Sequence, residues 1–292
     1  MEISSEFVGA KLKPFETEVT WRRAMNFAAA VGDNNPAYFD DERQGGIIAP
    51  PMLSVALTWA ASECYRTGEE AQGFPHEARK TQVHFTENLV WHRPLRPGDR
   101  LIIEGEVVAI VPHLAGTYLV IRFTACDQTG DAVFVEESGA ILRGVRCSDA
   151  GKGSEGLLPS PSGPGRREPI WEVPIPVSAV AAHVYDGCAD ISFPIHTSNK
   201  FARSVGLPGT ILHGTATLAM AAREIVNREA AADPTRLKAM LCRFTGMVLP
   251  GTTVTLRVLE RVSREGNTGV HFIVLNDQGR RAISNGFAEL KT

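Results

Sequence analysis

The chain has 292 residues, 43% of them hydrophobic and 22% charged, with a formal net charge of −3 and a pI of about 6.3. That balance fits a globular protein with a sizeable core and argues against the basic footprint of a nucleic-acid binder. No run of about 20 apolar residues is available to span a bilayer.

The first residues, Met1-Glu2-Ile3-Ser4-Ser5-Glu6, are acidic and polar, unlike the basic and apolar regions of a signal peptide. A short helical stretch is expected from Trp21 to Val31, followed closely by Asp33 and Pro36. A long helix rich in Ala and Leu is expected to start near Pro51. Strand-like runs follow at about 82–90, 100–111, 117–127 and 132–145, with a hairpin turn at Thr129-Gly130. Residues 148–168 are rich in Gly, Ser and Pro and read as a flexible linker.

The same order then returns. A helical stretch is expected from Val177 to Tyr185, then Asp190 and Pro194, then a long helix from Gly214. Strand-like runs fall at about 239–246, 252–263, 268–276 and 281–290, with a turn at Gln278-Gly279. Pro97-Gly98 and Pro250-Gly251 precede matching long strands. This is an internal duplication with a period of about 150 residues, far longer than a solenoid repeat. Both long helices are apolar around most of their surface, so each belongs inside a sheet that curls around it. The expected fold class is α+β, a double hot-dog with two sheets edge to edge. Its expected parts are residues 1–147, a linker at 148–168, and residues 169–292.

Chemistry concentrates in Tyr185–His196 and in Leu212-His213-Gly214-Thr215. One carboxylate, one imidazole and a glycine-bearing helix start suit water addition to, or removal from, an activated double bond. Backbone N–H groups at a helix start can hold a developing enolate oxygen. Plainer readings stand beside these. Asp190 can cap a turn, His196 can be a satisfied structural histidine, and Gly214 can serve tight packing. His213 counts more for its backbone position before the helix than for its ring. The five cysteines (Cys64, Cys126, Cys147, Cys188, Cys242) are scattered and form no Cys-x-x-Cys. They read as reduced thiols in a cytoplasmic protein without a zinc site, and Cys188 reads as a packing residue before a nucleophile. Arg22-Arg23 and Arg166-Arg167 read as solvated pairs.

The second half resembles the MaoC-like, (R)-specific enoyl-CoA hydratases, or hydratase 2. Their signature is a tyrosine, then Gly-Asp-x-Asn-Pro-hydrophobic-His, and later a His-Gly that opens the long helix. Tyr185, Asp190, Pro194-Ile195-His196 and Leu212-His213-Gly214 carry the resemblance, with Arg243-Phe244 and Pro250-Gly251 behind them. Asp190 to His196 is one residue longer than the usual motif, with Ser192 or Phe193 near the place of the asparagine. The first half resembles the degenerate partner of double hot-dog dehydratases. It carries Val31-Gly32-Asp33-Asn34-Asn35-Pro36-Ala37-Tyr38, Ile48-Ala49-Pro50-Pro51-Met52 and Arg93-Pro94-Leu95-Arg96-Pro97-Gly98-Asp99. Tyr38 stands where a histidine would be, so one active site per chain is expected.

The resemblance implies hydration or dehydration at the 2,3 bond of an acyl thioester, on CoA or acyl carrier protein. Asp190 and His196 would act as acid and base on one water. The Gly214 N–H would form the oxyanion hole, and Tyr38, Ser192 and His213 would contact substrate. No metal or organic cofactor is required. The degenerate half could accommodate a bulky acyl chain along residues 50–65. The fused pair could stand alone or form a homodimer through its outer sheet edges. Rival readings are a hot-dog thioesterase and a binder of acyl thioesters without turnover.

Overall fold

The computed structural model describes residues 1–64, 76–165, 168–264 and 266–292. After the two-residue β1 (Glu2–Ile3), the first half runs through β2 (Phe15–Glu18), α1 (Trp21–Ala30) and α2 (Ser54–Cys64). It continues with β3 (Gln82–Trp91), β4 (Arg100–His113), β5 (Gly116–Asp127), β6 (Ala132–Arg143) and the short β7 (Arg146–Cys147). The second half repeats the plan with β8 (Trp171–Pro176), α3 (Ala181–Ala189), two short helices α4 (Pro194–Thr197) and α5 (Asn199–Ser204), and α6 (Gly214–Glu229). It closes with β9 (Leu237–Phe244), β10 (Thr253–Arg264), β11 (Asn267–Leu275) and β12 (Arg281–Lys291).

Helix starts follow local chemistry. Thr20 caps α1, its hydroxyl accepting from the Arg23 N–H at 3.2 Å. Pro50 and Pro51 introduce the turn that leads into α2, where a missing N–H costs nothing. Neither central helix has a wet side along its middle. Leu53 to Thr58 of the first and Thr215 to Ala222 of the second are buried without a break. The alanines of α6 let the sheet close down on it.

Ten strands form one continuous sheet in the order β2-β4-β5-β6-β3-β9-β12-β11-β10-β8. Each half contributes five strands in the same internal order, and the halves join where β3 pairs antiparallel with β9, from Thr86 opposite Arg243 to Val90 opposite Ala239. This is the double hot-dog. The expected long strands and both central helices appear near their expected bounds. The outer strands β2 and β8 were not expected, because Phe-Glu-Thr-Glu and Trp-Glu-Val-Pro-Ile-Pro lack an unbroken strand-like run. Their charges and prolines suit the free edges they occupy.

The linker is docked for about half its length. Lys152 bridges to Ile110, the Asp149 carboxylate accepts from the Ser5 and Gly151 N–H groups, and the Leu158 N–H donates to Glu137. Its glycines serve close approach. A Cβ on Gly153, which has φ 89°, would stand 1.9 Å from the Val108 carbonyl oxygen.

Candidate active site

The two halves place the same turn after their first helix. In the first, α1 ends at Val31 and Gly32 turns left-handed (φ 65°), ahead of Asp33 and a turn opened by Asn35 and Pro36. In the second, α3 ends at Asp190, itself left-handed (φ 57°), ahead of Ile191 and a turn opened by Phe193 and Pro194. The two turns match residue for residue: Gly32 with Asp190, Asp33 with Ile191, Pro36 with Pro194, Tyr38 with His196. There is no extra residue after Asp190, contrary to the reading from sequence. Asp190 fills the place of a turn glycine, and its side chain is exposed. The buried position that Asp33 occupies in the first half belongs to Ile191 in the second. Among the described residues no hydrogen bond or ion pair joins Asp190 to His196. The charge of Asp190 acts on Arg23 of α1 instead.

His196 is held by its Nδ1, 2.8 Å from the Ile211 carbonyl oxygen. A carbonyl only accepts, so Nδ1 carries the proton and Nε2 presents a lone pair. His213, the N-cap of α6, places Nε2 3.1 Å from the Ile191 carbonyl oxygen. The two imidazoles stack, with centroids 3.6 Å apart. Burial pushes His196 down to about 4 and His213, beside it, down to about 3. Both rings are therefore neutral at pH 7. The first ladder bond of α6 runs from the Thr217 N–H to the His213 carbonyl, so the N–H groups of Gly214, Thr215 and Ala216 stand ahead of it. A Cβ on Gly214 would lie 3.0 Å from the Phe244 ring, so a larger residue would press the helix start against β9. In the first half Pro50 and Pro51 open the long helix without donors, and Tyr38 replaces the imidazole.

Tyr185 packs against His213 at 5.0 Å and donates to the Thr215 hydroxyl at 3.1 Å, which ties α3 to the start of α6. Ser192 is exposed beside the site. Tyr38 is not brought to His196. It lines a pocket of about 20 Å³ between the halves, with Pro50 and Pro51 of the first and Ala219, Arg223 and Leu237 of the second. That is the groove near residues 50–52, and it is small. The rest of α2 is packed beneath the sheet, and residues beyond 64 lie outside the described ones. Arg23 bonds Thr17 and the Glu18 carbonyl, and Arg166-Arg167 lie outside the described residues. Among the described residues no three His, Cys, Asp or Glu side chains are grouped to hold a metal, and no helix is long and apolar enough to cross a membrane.

Sequence reasoning missed a polar group at the seam. His84 of β3 packs on Phe244 with centroids 4.7 Å apart, and Phe244 in turn touches Gly214. His84 Nε2 lies 3.1 Å from the Thr86 carbonyl oxygen and 3.0 Å from Glu87 Oε2. Glu87 and Glu136 are almost wholly buried, and Thr58 of α2 meets both oxygens of Glu136 at 2.8 and 2.9 Å. The available signal was Glu87, the one acidic residue inside the central strand β3.

Two family models cover most of the chain: a MaoC like domain over residues 164–278 and a FAS1-like dehydratase domain region over residues 6–136. The chain is similar to 3-hydroxyacyl-thioester dehydratase Y of Mycobacterium tuberculosis, 27% identical across 96% of this chain and 98% of that protein. It is 34% identical to a UPF0336 protein of Streptomyces griseus over 49% of this chain and 97% of that one. A MaoC-like dehydratase from Phytophthora capsici superposes with a TM-score of 0.85 at 22% identity, covering 98% of this chain and 96% of that structure. With the duplicated hot-dog plan and the His-Gly helix start, these place the chain in the MaoC-like dehydratase family, in its double hot-dog form, and so among the hydro-lyases.

Proposed function

We propose that the second half hydrates, or in reverse dehydrates, the 2,3 bond of an acyl thioester carried by CoA or an acyl carrier protein. The observation that carries this reading is the pairing of a neutral imidazole with open backbone donors. His196 Nε2 has a free lone pair, and the start of α6 beside it offers N–H groups. In the hydration direction His196 takes a proton from water as the oxygen bonds to the β-carbon. The π electrons move toward the thioester carbonyl, and the oxyanion is met by the N–H of Gly214 and the positive end of α6. The imidazolium then returns a proton to the α-carbon on the same face. His213 stacks on His196 and keeps the ring in place. The exposed Asp190 is assigned no proton in this scheme.

The test is the absorbance of the enoyl-thioester band with crotonyl-CoA, a longer enoyl-CoA and mesaconyl-CoA. Wild type should consume at least one, and His196→Ala should lower kcat by about 100-fold or more, the usual worth of a general base. Folded wild type that consumes none of the three would refute hydration. Release of free thiol would instead point to thioester hydrolysis.

A further inference from the structure

We infer that His84, contributed by the first half, is the second water-holding group of the active site in the second half. This rests on the hydration reading above. Neither copy of the repeat keeps a complete acid–base pair. The first has the buried carboxylate, Asp33, but Tyr38 in place of the imidazole; the second has His196 but Ile191 in place of the carboxylate. A water between His196 and the β-carbon needs another acceptor to orient its second O–H, and neither Ile191 nor the exposed Asp190 offers one.

The repeat itself points to the replacement. Aligning Pro97-Gly98 with Pro250-Gly251 sets Trp91 on Phe244 and His84 on Leu237. The strand pairing supports that match. Each of β3 and β9 skips one residue against its outer neighbour at the corresponding place, Phe85 in one and Lys238 in the other. Leu237, from the second half, lines the same pocket as Tyr38 and Pro51 of the first. Their counterparts are His84, His196 and Gly214. The swap of Leu237 for His84 therefore puts an imidazole at the place in the second half that faces the catalytic turn. Phe244, the ring beside Gly214, is also the ring on which His84 packs, which agrees with that placement.

Its tautomer suits the task. Nε2 lies against the Thr86 carbonyl, with Glu87 and the Ser138 hydroxyl also near it, so Nε2 carries the proton. Nδ1 is then the lone pair, and the side chain is 32% exposed. Glu87 is 1% exposed and lies 3.0 Å from Nε2, a buried polar neighbour of the ring. Water donates one O–H to His196 Nε2 and the other to His84 Nδ1. One proton leaves to His196 and reaches the α-carbon, and the other remains on the new hydroxyl.

The experiment compares full-length wild type, His84→Ala and His84→Gln on the best of the three enoyl-CoA probes, with melting temperature as the check on folding. The alanine variant should lose about 100-fold in kcat with KM changed less than about threefold. The glutamine variant, which keeps an acceptor oxygen, should fall between alanine and wild type. A purely structural histidine would not produce that order. Retention of kcat within about threefold by the folded alanine variant, a glutamine variant no better than alanine, or a loss confined to KM overturns the inference. If wild type hydrates while these variants do too, only the role of His84 fails. If wild type hydrates nothing, the hydration reading fails first.

Discussion

A single residue decides how the turn before His196 is read. A scan of the motif for any aspartate offers Asp190 as the carboxylate, yet its φ of 57° and its exposure mark it as the stand-in for glycine. Left-handed backbone costs an L-residue about 1–2 kcal/mol, less for Asp than for most. Asp190→Gly should therefore raise stability by up to about 1 kcal/mol and leave kcat within about threefold. Thermal melts and the enoyl-CoA assay check both parts. A loss of about 100-fold would return Asp190 to the chemistry. His196, His213 and Gly214 were legible as candidates because they lie in short, contiguous phrases whose residue types suit the proposed reaction. His84 was not, because its ring neighbour Phe244 lies far away in sequence, in the other half. No local pattern distinguishes it from other strand residues.

Among the elements, the central helices and long strands were legible because hydrophobic periodicity and turn glycines mark them. The edge strands were not, because charge and proline hide a strand where one side stays unpaired. The linker was the plainest misreading of composition. Glycine-rich and proline-rich sequence usually signals freedom, but Gly151 and Gly153 are pressed against the backbone of β4. Gly153→Ala should cost about 1–3 kcal/mol through its positive φ and the collision with Val108, or else release residues 148–158 from the sheet. Denaturant melts and limited proteolysis within the linker would register either result. Unchanged stability and unchanged protection would show that the docking contributes little.

Across the whole molecule, the β3–β9 seam buries two carboxyl groups where the halves meet. Burial pushes Glu87 up to about 8, and burial together with the nearby Glu87 raises Glu136 well above its ordinary value. The unfolded chain gives up those protons near pH 4.5, so the stabilisation is complete below that pH and is lost as pH rises through about 8. His196 and His213 act in the opposite sense. Their stabilisation is complete above about pH 6.5 and is lost as pH falls toward about 4 and about 3. Above pH 6.5 the carboxyl effect stands apart from the histidine effect. The melting temperature of wild type should fall between about pH 6.5 and 8.5, and Glu87→Gln, which cannot ionise, should flatten that slope. An equal slope in both proteins would mean that the seam carboxyls are already charged.

The sequence by itself determined the duplication, the fold class, the two buried helices and the His-Gly helix start. Each of these is written in periodicity, spacing or residue type over short stretches. Only the tertiary structure decided the rest. It showed that Asp190 is a turn residue and that Ile191 holds the buried position. It also showed that the linker is docked and that His84 of the first half packs on Phe244, the ring beside Gly214. These depend on which backbone angle a residue adopts and on which distant strands become neighbours. A one-dimensional pattern does not encode either, because both are set by the closing of two sheets against each other.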